Sequence, residues 1–434
     1  MGHSRWLHAT LAVTIASVHV GAQPPEAPGA GSAVVKPAGA SPMESNDIPP
    51  WRPSPARFAV APFENESNVK AFDWLVAAAP FEIAEKTEDV LGLEPTGGAL
   101  HITGERVVSD VQPVTAFARL RDAQWVITGW VDRPNWKLRI GLTLWSVKPG
   151  ADAVVVAEAQ KQGDVPTYHQ LLGDALADVW SKAGLTVDDE RRASLGRALA
   201  IDLYAVHLMG RGLGYLTGVL GGVNLKAAEH DLERAVFIDP KCYEAQRLLG
   251  ELYTVLAVTD PKLGGDPKFA NRAAGKFNYA NDLAPMNIAS LRAAATAASR
   301  TGKDEVAREL WRKLVIRKPW DLDARYALGA AMWATGDGNA AEVQLLQVTA
   351  KKPDHLQARR VLVLIHASRG DTTKLVSELE AIAHRAPADL DVKADLATAY
   401  GSLGQWDRAV KQLEQIASVR PTDMPLAVRI ADAR

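Results

Sequence analysis

The chain has 434 residues, with 49 basic and 51 acidic side chains and a formal net charge of −2. This near balance does not favour a polyanionic partner such as nucleic acid, which requires clustered cationic side chains. The single cysteine, Cys242, excludes an intramolecular disulfide and a cysteine-based metal cluster. The length allows two or three domains.

The first 22 residues have the pattern of a secretory signal peptide. Arg5 supplies positive charge, Trp6 to Val20 is mostly apolar, and Val20-Gly21-Ala22 offers small residues for cleavage. We therefore expect a periplasmic or secreted protein with no integral membrane segment after cleavage, and no lipoprotein because no cysteine follows. Two histidines interrupt the apolar stretch, so a disordered start on a cytosolic protein is the alternative.

Residues 23–54 are rich in proline, alanine, glycine and serine. Such a composition buries too little apolar surface to fold, so the segment is predicted to be a linker or tether.

Residues 55–184 predict a compact α+β domain. The expected elements are a strand at 57–63, helices at about 72–91, 114–121 and 166–183, and strands at 125–131, 137–147 and 153–160. Apolar and polar residues alternate in the middle strand of the last three, as in a strand with one buried face. Turn residues separate these three strands, so an antiparallel meander is expected.

Prolines at positions 285, 319, 353, 387 and 421 recur every 34 residues. Because proline ends helices, each period is predicted to be one helical hairpin. Gly329 in a first helix and Ala341 in a second helix stand where the two helices approach closely. Glycines at 302, 336, 370 and 404 mark mid-period turns, and Asp337 beside one of them is expected to contribute little to stability.

Two glycine-rich stretches, Gly210–Gly214 and Gly218–Gly222, invite comparison with a phosphate loop. Neither lies between a strand and a helix, and no Gly-Lys-Ser/Thr follows, so a flexible turn between helices is expected instead. The histidines are scattered without metal-binding spacing. No catalytic, cofactor-binding or metal site is predicted, and the chain is not expected to be an enzyme.

Positions two, five, nine and twelve of the first helix in each period form a surface that we call the first-helix face. Arginine and aromatic residues, which are frequent at binding hot spots, occur on it. The predicted partner-binding residues are Arg247, Glu251, Arg292, Thr296, Tyr326, Trp333, Arg360 and Leu364. The alternatives are a face that contacts only solvent and a face covered by the amino-terminal domain.

The offsets within each period resemble the tetratricopeptide repeat, with Gly329 at the eighth position, Ala341 at the twentieth and Pro353 at the thirty-second. Residues 55–184 resemble the TolB amino-terminal domain in the segments Val60–Asn65 and Ala123–Gly129. The predicted fold is therefore a small α+β domain followed by an all-α solenoid of helical hairpins at 198–421, with a capping segment at 422–434.

These resemblances imply a non-enzymatic scaffold of the bacterial cell envelope that binds other proteins or peptides through the first-helix face and the amino-terminal domain. The alternative is a regulatory or sensory module whose amino-terminal domain binds a small ligand or a cell-wall-synthesis partner.

Overall fold

The computed structural model describes residues 48–67, 69–96, 107–198, 200, 202–259 and 267–419. The predicted signal peptide, the first part of the predicted linker and the predicted capping segment lie outside these ranges. The described residues form two compact units, the first from Pro53 to Thr301 and the second from Gly302 onward together with residues 48–52. The predicted boundary between the α+β domain and the repeats, at 184–198, lies inside the first unit.

One sheet forms the centre of the amino-terminal part of the first unit. Its strands are β1 (Arg57–Val60), β2 (Glu64–Asn65), β3 (Glu94–Pro95), β4 (Trp125–Asp132), β5 (Leu138–Ser146) and β6 (Val154–Gly163). The strand order is β3-β1-β4-β5-β6, and β2 pairs with the end of β4. The predicted antiparallel meander of β4, β5 and β6 is confirmed, and β1 joins it by parallel pairing with β4.

Helices cover the sheet on both sides. They are α1 (Leu75–Lys86), α2 (Val111–Arg121), α3 (Tyr168–Lys182) and the short α4 (Asp189–Leu195). A single π-helical turn, Thr87–Leu91, extends α1 to Gly92, whose φ of 69° ends it as the sequence predicted. Val114 and Phe117 of α2 pack with Val126 on one side of the sheet, whereas α1 and α3 share the core on the other.

Twelve further helices follow in the described part of the chain. They are α5 (Leu203–Thr217), α6 (Leu225–Ile238), α7 (Tyr243–Thr259), α8 (Pro267–Leu283), α9 (Ile288–Arg300), α10 (Asp304–Arg317), α11 (Leu322–Ala334), α12 (Gly338–Lys351), α13 (Leu356–Arg369), α14 (Thr372–Arg385), α15 (Leu390–Ser402) and α16 (Trp406–Val419). The odd-numbered members are first helices and the even-numbered members are second helices. The predicted helical repeat is confirmed.

Helix caps repeat with the same period. Asn287, Asp321, His355 and Asp389 precede α9, α11, α13 and α15, and each side chain accepts a hydrogen bond from a first-turn amide at 2.8–3.2 Å. These amides have no partner within their own helix, so the caps satisfy groups that the fold would otherwise leave unpaired.

Close packing within a hairpin agrees with the predicted positions. A methyl group added to Gly329 of α11 would lie 2.9 Å from Cγ of Leu345 in α12. The glycines at 302, 336, 370 and 404 all have positive φ, between 66° and 84°, as turns after helices require.

One expectation about loops is wrong. The stretch Gly210–Gly214 lies inside α5 and is mostly buried, so its glycines serve close helix packing rather than a flexible turn. Only Gly218–Gly222 forms the turn, with positive φ at three of its glycines. Residues 48–52, predicted to be linker, lie against helices of the second unit.

Candidate functional site

In the first unit, the amino-terminal domain packs directly on the repeats through α1. A methyl group added to Gly210 of α5 would lie 2.8 Å from Cβ of Ala78 and 2.9 Å from the carbonyl oxygen of Trp74. Only glycine allows two helix backbones to approach this closely. Gly210, one of the glycines compared with a phosphate loop, therefore lets α1 pack closely on the repeats, whereas Gly212 and Gly214 face Leu232 and Leu220.

A buried ion pair lies at the centre of this contact. Nη2 of Arg247 in α7 lies 2.6 Å from Oε1 of Glu85 in α1. The guanidinium also lies over the ring of Phe81, 5.2 Å from its centroid. Both charged side chains are at most 2% exposed, so each charge depends on the other for compensation.

The cap of α9 extends the same network. The side-chain amide of Asn287 donates to Glu85 at 3.2 Å and to Asp89 at 2.5 Å, and the backbone amide of Ile288 donates to Asp89 at 3.2 Å. One asparagine thus caps α9 through its oxygen and binds the carboxylates of the preceding domain through its nitrogen.

Several carboxyl groups meet in this interior. Burial raises the pKa of Asp89 to about 7, and the nearby charges of Glu85 and Glu88 add to the effect. Burial also raises the pKa of Glu244, next to Arg247 on α7, to about 8. The contact between α1 and the repeats therefore holds protons that exposed carboxyl groups release near pH 4.

The first-helix face of the first unit is closed at two of its four predicted residues. Arg247 is fully buried and Glu251 is 3% exposed, so neither is accessible to a partner in this structure. Arg247 contacts Glu85 and Phe81 of α1, and the partner-binding role of both residues stays a prediction. Arg292 and Thr296 are half-buried on α9, where the Thr296 hydroxyl donates to the carbonyl of Arg292 at 2.9 Å. Their partner-binding role stays a prediction.

The second unit contains the other four predicted residues. Tyr326 is only 6% exposed, because its ring packs against that of His355 with the centroids 4.7 Å apart. It therefore anchors α11 to the start of α13, and its partner-binding role stays a prediction.

Trp333, Arg360 and Leu364 remain accessible. The indole of Trp333 is half-buried beside Gly338 at the start of α12, and Leu364 is half-buried on α13. The side chain of Arg360 is 45% exposed and pairs with Asp389 at 2.7 Å. These three residues supply apolar surface and a positive charge within one unit.

A second buried network lies under the sheet. Oε2 of Glu82 in α1 accepts from the Tyr168 hydroxyl at 2.6 Å, Oε1 lies 2.8 Å from Nδ1 of His169, and Lys86 pairs with the same carboxylate. Burial would raise the pKa of Glu82, but the charges of Lys86 and His169 lower it to about 2. All of these side chains are nearly inaccessible, so the network joins α1 to α3.

The repeats of the first unit also contain a cavity of about 450 Å³ between α6, α7 and α8. Arg272 lies against the ring of Tyr253 at 4.0 Å and pairs with Glu233 at 3.0 Å. Lys276 donates to Gln246 at 3.0 Å, and burial lowers the pKa of this lysine. No sequence motif marks this site, because its residues come from three different helices.

Within the described ranges, no group of three or more histidine, cysteine, aspartate or glutamate side chains is arranged to hold a metal ion. The same residues include no helix of the length and apolarity needed to cross a membrane.

The helix bounds and the 34-residue period define a repeat of helical hairpins, preceded by a small sheet domain. No protein-family model and no curated protein matches the chain. Similar solved structures include YrrB, described as a tetratricopeptide protein with an unusual peptide-binding site, at 15% identity over 46% of this chain and 97% of that chain, with a TM-score of 0.38.

Two other solved structures are similar over about half of this chain. PilW, a type IV pilus biogenesis factor, is 16% identical over 53% of this chain and 99% of its own, with a TM-score of 0.38. A tetratricopeptide repeat protein from Parabacteroides merdae is 18% identical over 50% of this chain and 80% of its own, also with a TM-score of 0.38. The repeat assignment itself rests on the period and helix bounds of this chain.

Proposed function

We propose that the protein is a non-enzymatic scaffold of the bacterial cell envelope that binds other proteins through the first-helix face of its second unit. The observation that carries this proposal is the seating of α1 on the repeats of the first unit, with Arg247 bound to Glu85. In this chain, the first-helix face of the early repeats binds a helix, α1, and the charge of Arg247 balances that of the Glu85 carboxylate. Repeat solenoids commonly bind partners on such faces.

The second unit offers comparable chemistry on residues that stay accessible in the described part of the chain. Trp333 and Leu364 provide apolar surface, and Arg360 provides a guanidinium that is already paired with a carboxylate at the surface. A helix or extended segment with an acidic residue would exchange its carboxylate for that of Asp389. We expect aromatic and arginine side chains to contribute most to affinity.

The test is a pull-down from native cells with the full chain and with the double variant Trp333→Ala/Arg360→Ala. Each hot-spot truncation typically costs about 2 kcal/mol or more, so partner recovery should fall at least about tenfold. The matched control is Trp406→Ala/Arg408→Ala on α16, where both residues are exposed outside the predicted face.

Circular dichroism is the control that both double variants are folded. Recovery of the same partners in equal amount by the folded Trp333→Ala/Arg360→Ala variant would contradict the proposal. Equal losses in the two double variants would also contradict it, because the loss would then not depend on the first-helix face.

The envelope location rests on the predicted signal peptide and on the resemblance of the amino-terminal domain to TolB. We expect the mature chain to lack Met1 to about Ala22 and to be released by osmotic shock. An intact amino terminus on protein from the cytosolic fraction would contradict this part of the proposal.

The cavity between α6, α7 and α8 favours a second candidate, a sensory role with a small ligand. Arg272 and Lys276 provide positive charge, and Tyr253 provides an aromatic wall, so a small anion with an apolar part would fit. A panel of small carboxylates and phosphates should then raise the melting temperature of the full chain but not of Lys276→Met. Absence of any shift in the full chain would exclude this candidate for the compounds tested.

A further inference from the structure

Residues 48–52, with the sequence Ile-Pro-Pro-Trp-Arg, lie against the second unit. The residues that hold this segment come from the loop before α11, from α11 and from α12. We call them the Trp320 site: Trp320, Arg325, Gln344, Gln347 and Lys351. None of them belongs to the predicted partner-binding residues.

Two of the contacts bind the backbone of the segment. Nη2 of Arg325 donates to the carbonyl oxygen of Pro49 at 2.8 Å, and the amide of Trp51 donates to Oε1 of Gln347 at 3.0 Å. Arg325 thus binds the backbone acceptor of residue 49, and Gln347 binds the backbone donor of residue 51. Alternating backbone contacts of this kind are typical of the recognition of an extended peptide. Two consecutive prolines favour that extended conformation before binding.

The side chain of Trp51 is held at both its polar and its apolar parts. Its Nε1 donates to the carbonyl oxygen of Trp320 at 3.2 Å, and Nζ of Lys351 lies 4.4 Å from the ring centroid. The guanidinium of Arg52 lies 5.4 Å from the ring of Trp320. Each aromatic ring therefore faces a cation from the other side of the contact, a favourable arrangement.

The Trp320 site differs from the next repeat in the residue that binds its buried arginine. Thirty-four residues later, Arg359 donates to Pro353 and pairs with Glu378 at 2.6 Å. The corresponding arginine, Arg325, donates to Pro319 at 3.1 Å but meets the neutral Gln344 at 2.6 Å. Because Gln344 carries no charge and binds only Nη1 of Arg325, Nη2 donates to the carbonyl oxygens of Pro319 and of Pro49 in the segment.

Trp320 is equally specific to its repeat. The equivalent positions hold Met286, Asp354 and Ala388. Trp320 is therefore not part of the repeat pattern, and the packing that all repeats share does not explain it. Arg325, in turn, is fully buried and fixed by its bonds to Gln344 and Pro319, so the donor that meets Pro49 is already oriented.

We propose that the Trp320 site is a recognition site for an extended Pro-Pro-Trp-Arg segment, and that residues 49–52 occupy it as a displaceable internal ligand. A partner protein that exposes the same kind of segment competes with them. This site is separate from the first-helix face, and the variant Trp333→Ala/Arg360→Ala changes none of its residues. Failure of either proposal is therefore distinguishable from failure of the other.

The test uses a fluorescein-labelled peptide with the sequence of residues 46–55 and measures its fluorescence anisotropy with the full chain. Trp51→Ala removes the indole contacts of the internal ligand at a half-buried position that belongs to no helix or strand. We expect the Trp51→Ala chain to bind the peptide at least about tenfold more tightly than the unmodified chain, because its own segment competes less well for the site. A peptide with alanine in place of tryptophan should bind at least about tenfold more weakly.

The control variants are made in the Trp51→Ala chain. Gln347→Ala should weaken peptide binding about fivefold, as expected for loss of one hydrogen bond with a net value near 1 kcal/mol. Gln415→Ala changes the equivalent glutamine two periods later and should leave binding unchanged. Equal binding by the unmodified and Trp51→Ala chains would overturn the proposal, as would equal effects of the two glutamine variants or equal binding of the two peptides.

Hydrogen exchange provides a measurement that does not depend on added peptide. The amide of Trp51 is hydrogen-bonded to Gln347, so it should exchange at least about tenfold more slowly in the unmodified chain than in the Gln347→Ala chain. Identical exchange in the two chains would show that the segment is not held at the Trp320 site and would overturn the proposal.

Discussion

Glu85 and Arg247 form a buried ion pair at 2.6 Å although they are 162 residues apart in the chain. Glu85 belongs to the last turn of α1, and Arg247 belongs to the first helix of a repeat. The pair shows that the sheet domain and the first repeats share one interior. The sequence predicts a domain boundary at residues 184–198. In the structure, the sheet domain and the first repeats pack against each other within one unit.

Removal of Arg247 should destabilise the first unit strongly. Arg247→Met leaves the Glu85 carboxylate buried without its cation, which typically costs about 3–5 kcal/mol. Arg360→Met breaks the exposed pair with Asp389 and should cost at most about 1 kcal/mol. Urea unfolding of both variants checks the comparison, and a loss for Arg247→Met no larger than that for Arg360→Met would contradict it.

Stability should also depend on Asp89 between mildly acidic and neutral pH. Its pKa rises from 3.8 to about 7 on folding, because of burial and then the charges of Glu85 and Glu88. The folded chain therefore keeps a proton that the unfolded chain has lost. The stabilisation is complete below about pH 4 and declines as the pH rises to 7, by at most about 1.4 kcal/mol per pH unit.

The variant Asp89→Asn isolates this effect because its side chain does not titrate. We expect the free energy of unfolding of the unmodified chain, measured relative to Asp89→Asn, to be lower at pH 7 than at pH 5. Titrating groups that do not interact with Asp89 are common to both chains and cancel in the difference. A difference that is constant between these pH values would show that Asp89 is ionised throughout this range.

The packing of Gly329 predicts a size limit at that position. Gly329→Leu should cost about 1–3 kcal/mol, because the first added carbon already meets Leu345. Gly275→Leu on α8 is the matched control, since nothing lies within 4 Å of a carbon added there. Leucine has the higher helix propensity, so the control should be neutral or stabilising. Equal melting temperatures for the two variants would contradict the observed packing.

Asp337 should matter more than its place in a turn suggests. Its side chain caps α12 by accepting from the amide of Ala340 at 3.1 Å, and it pairs with Arg308 at 2.9 Å. Asp337→Ala should therefore cost about 1 kcal/mol in thermal unfolding. A cost indistinguishable from zero would support the sequence-based expectation instead.

The repeats were predictable from sequence because their signals are local and periodic. Proline, the small residues at 329 and 341, and the turn glycines each act within one hairpin, and the period aligns them. The antiparallel meander was predictable for the same reason, since its strands are neighbours in the chain. The parallel pairing of β1 with β4 was not, because no local pattern specifies it.

The candidate sites were less predictable, since charge and burial depend on distant partners. Arg247 and Arg360 occupy the same position of their periods, yet one is buried against Glu85 and the other is exposed. Similarly, the proline-rich composition of residues 23–54 concealed Trp51, whose partners lie about 270–300 residues away. The composition of a segment does not show which distant residues will bind it.

The hydrogen bond between Asn287 and Asp89 has a consequence for synthesis on the ribosome. It joins residues 198 positions apart, so the interior of the first unit is incomplete until Asn287 has emerged. Contacts of such long range also slow folding, whereas neighbouring helices of the second unit can pair as soon as each hairpin is made. The early repeats thus complete the folding of a domain that was translated long before them, and a chain truncated before Asn287 would leave Asp89 without the hydrogen bonds from Asn287 and Ile288.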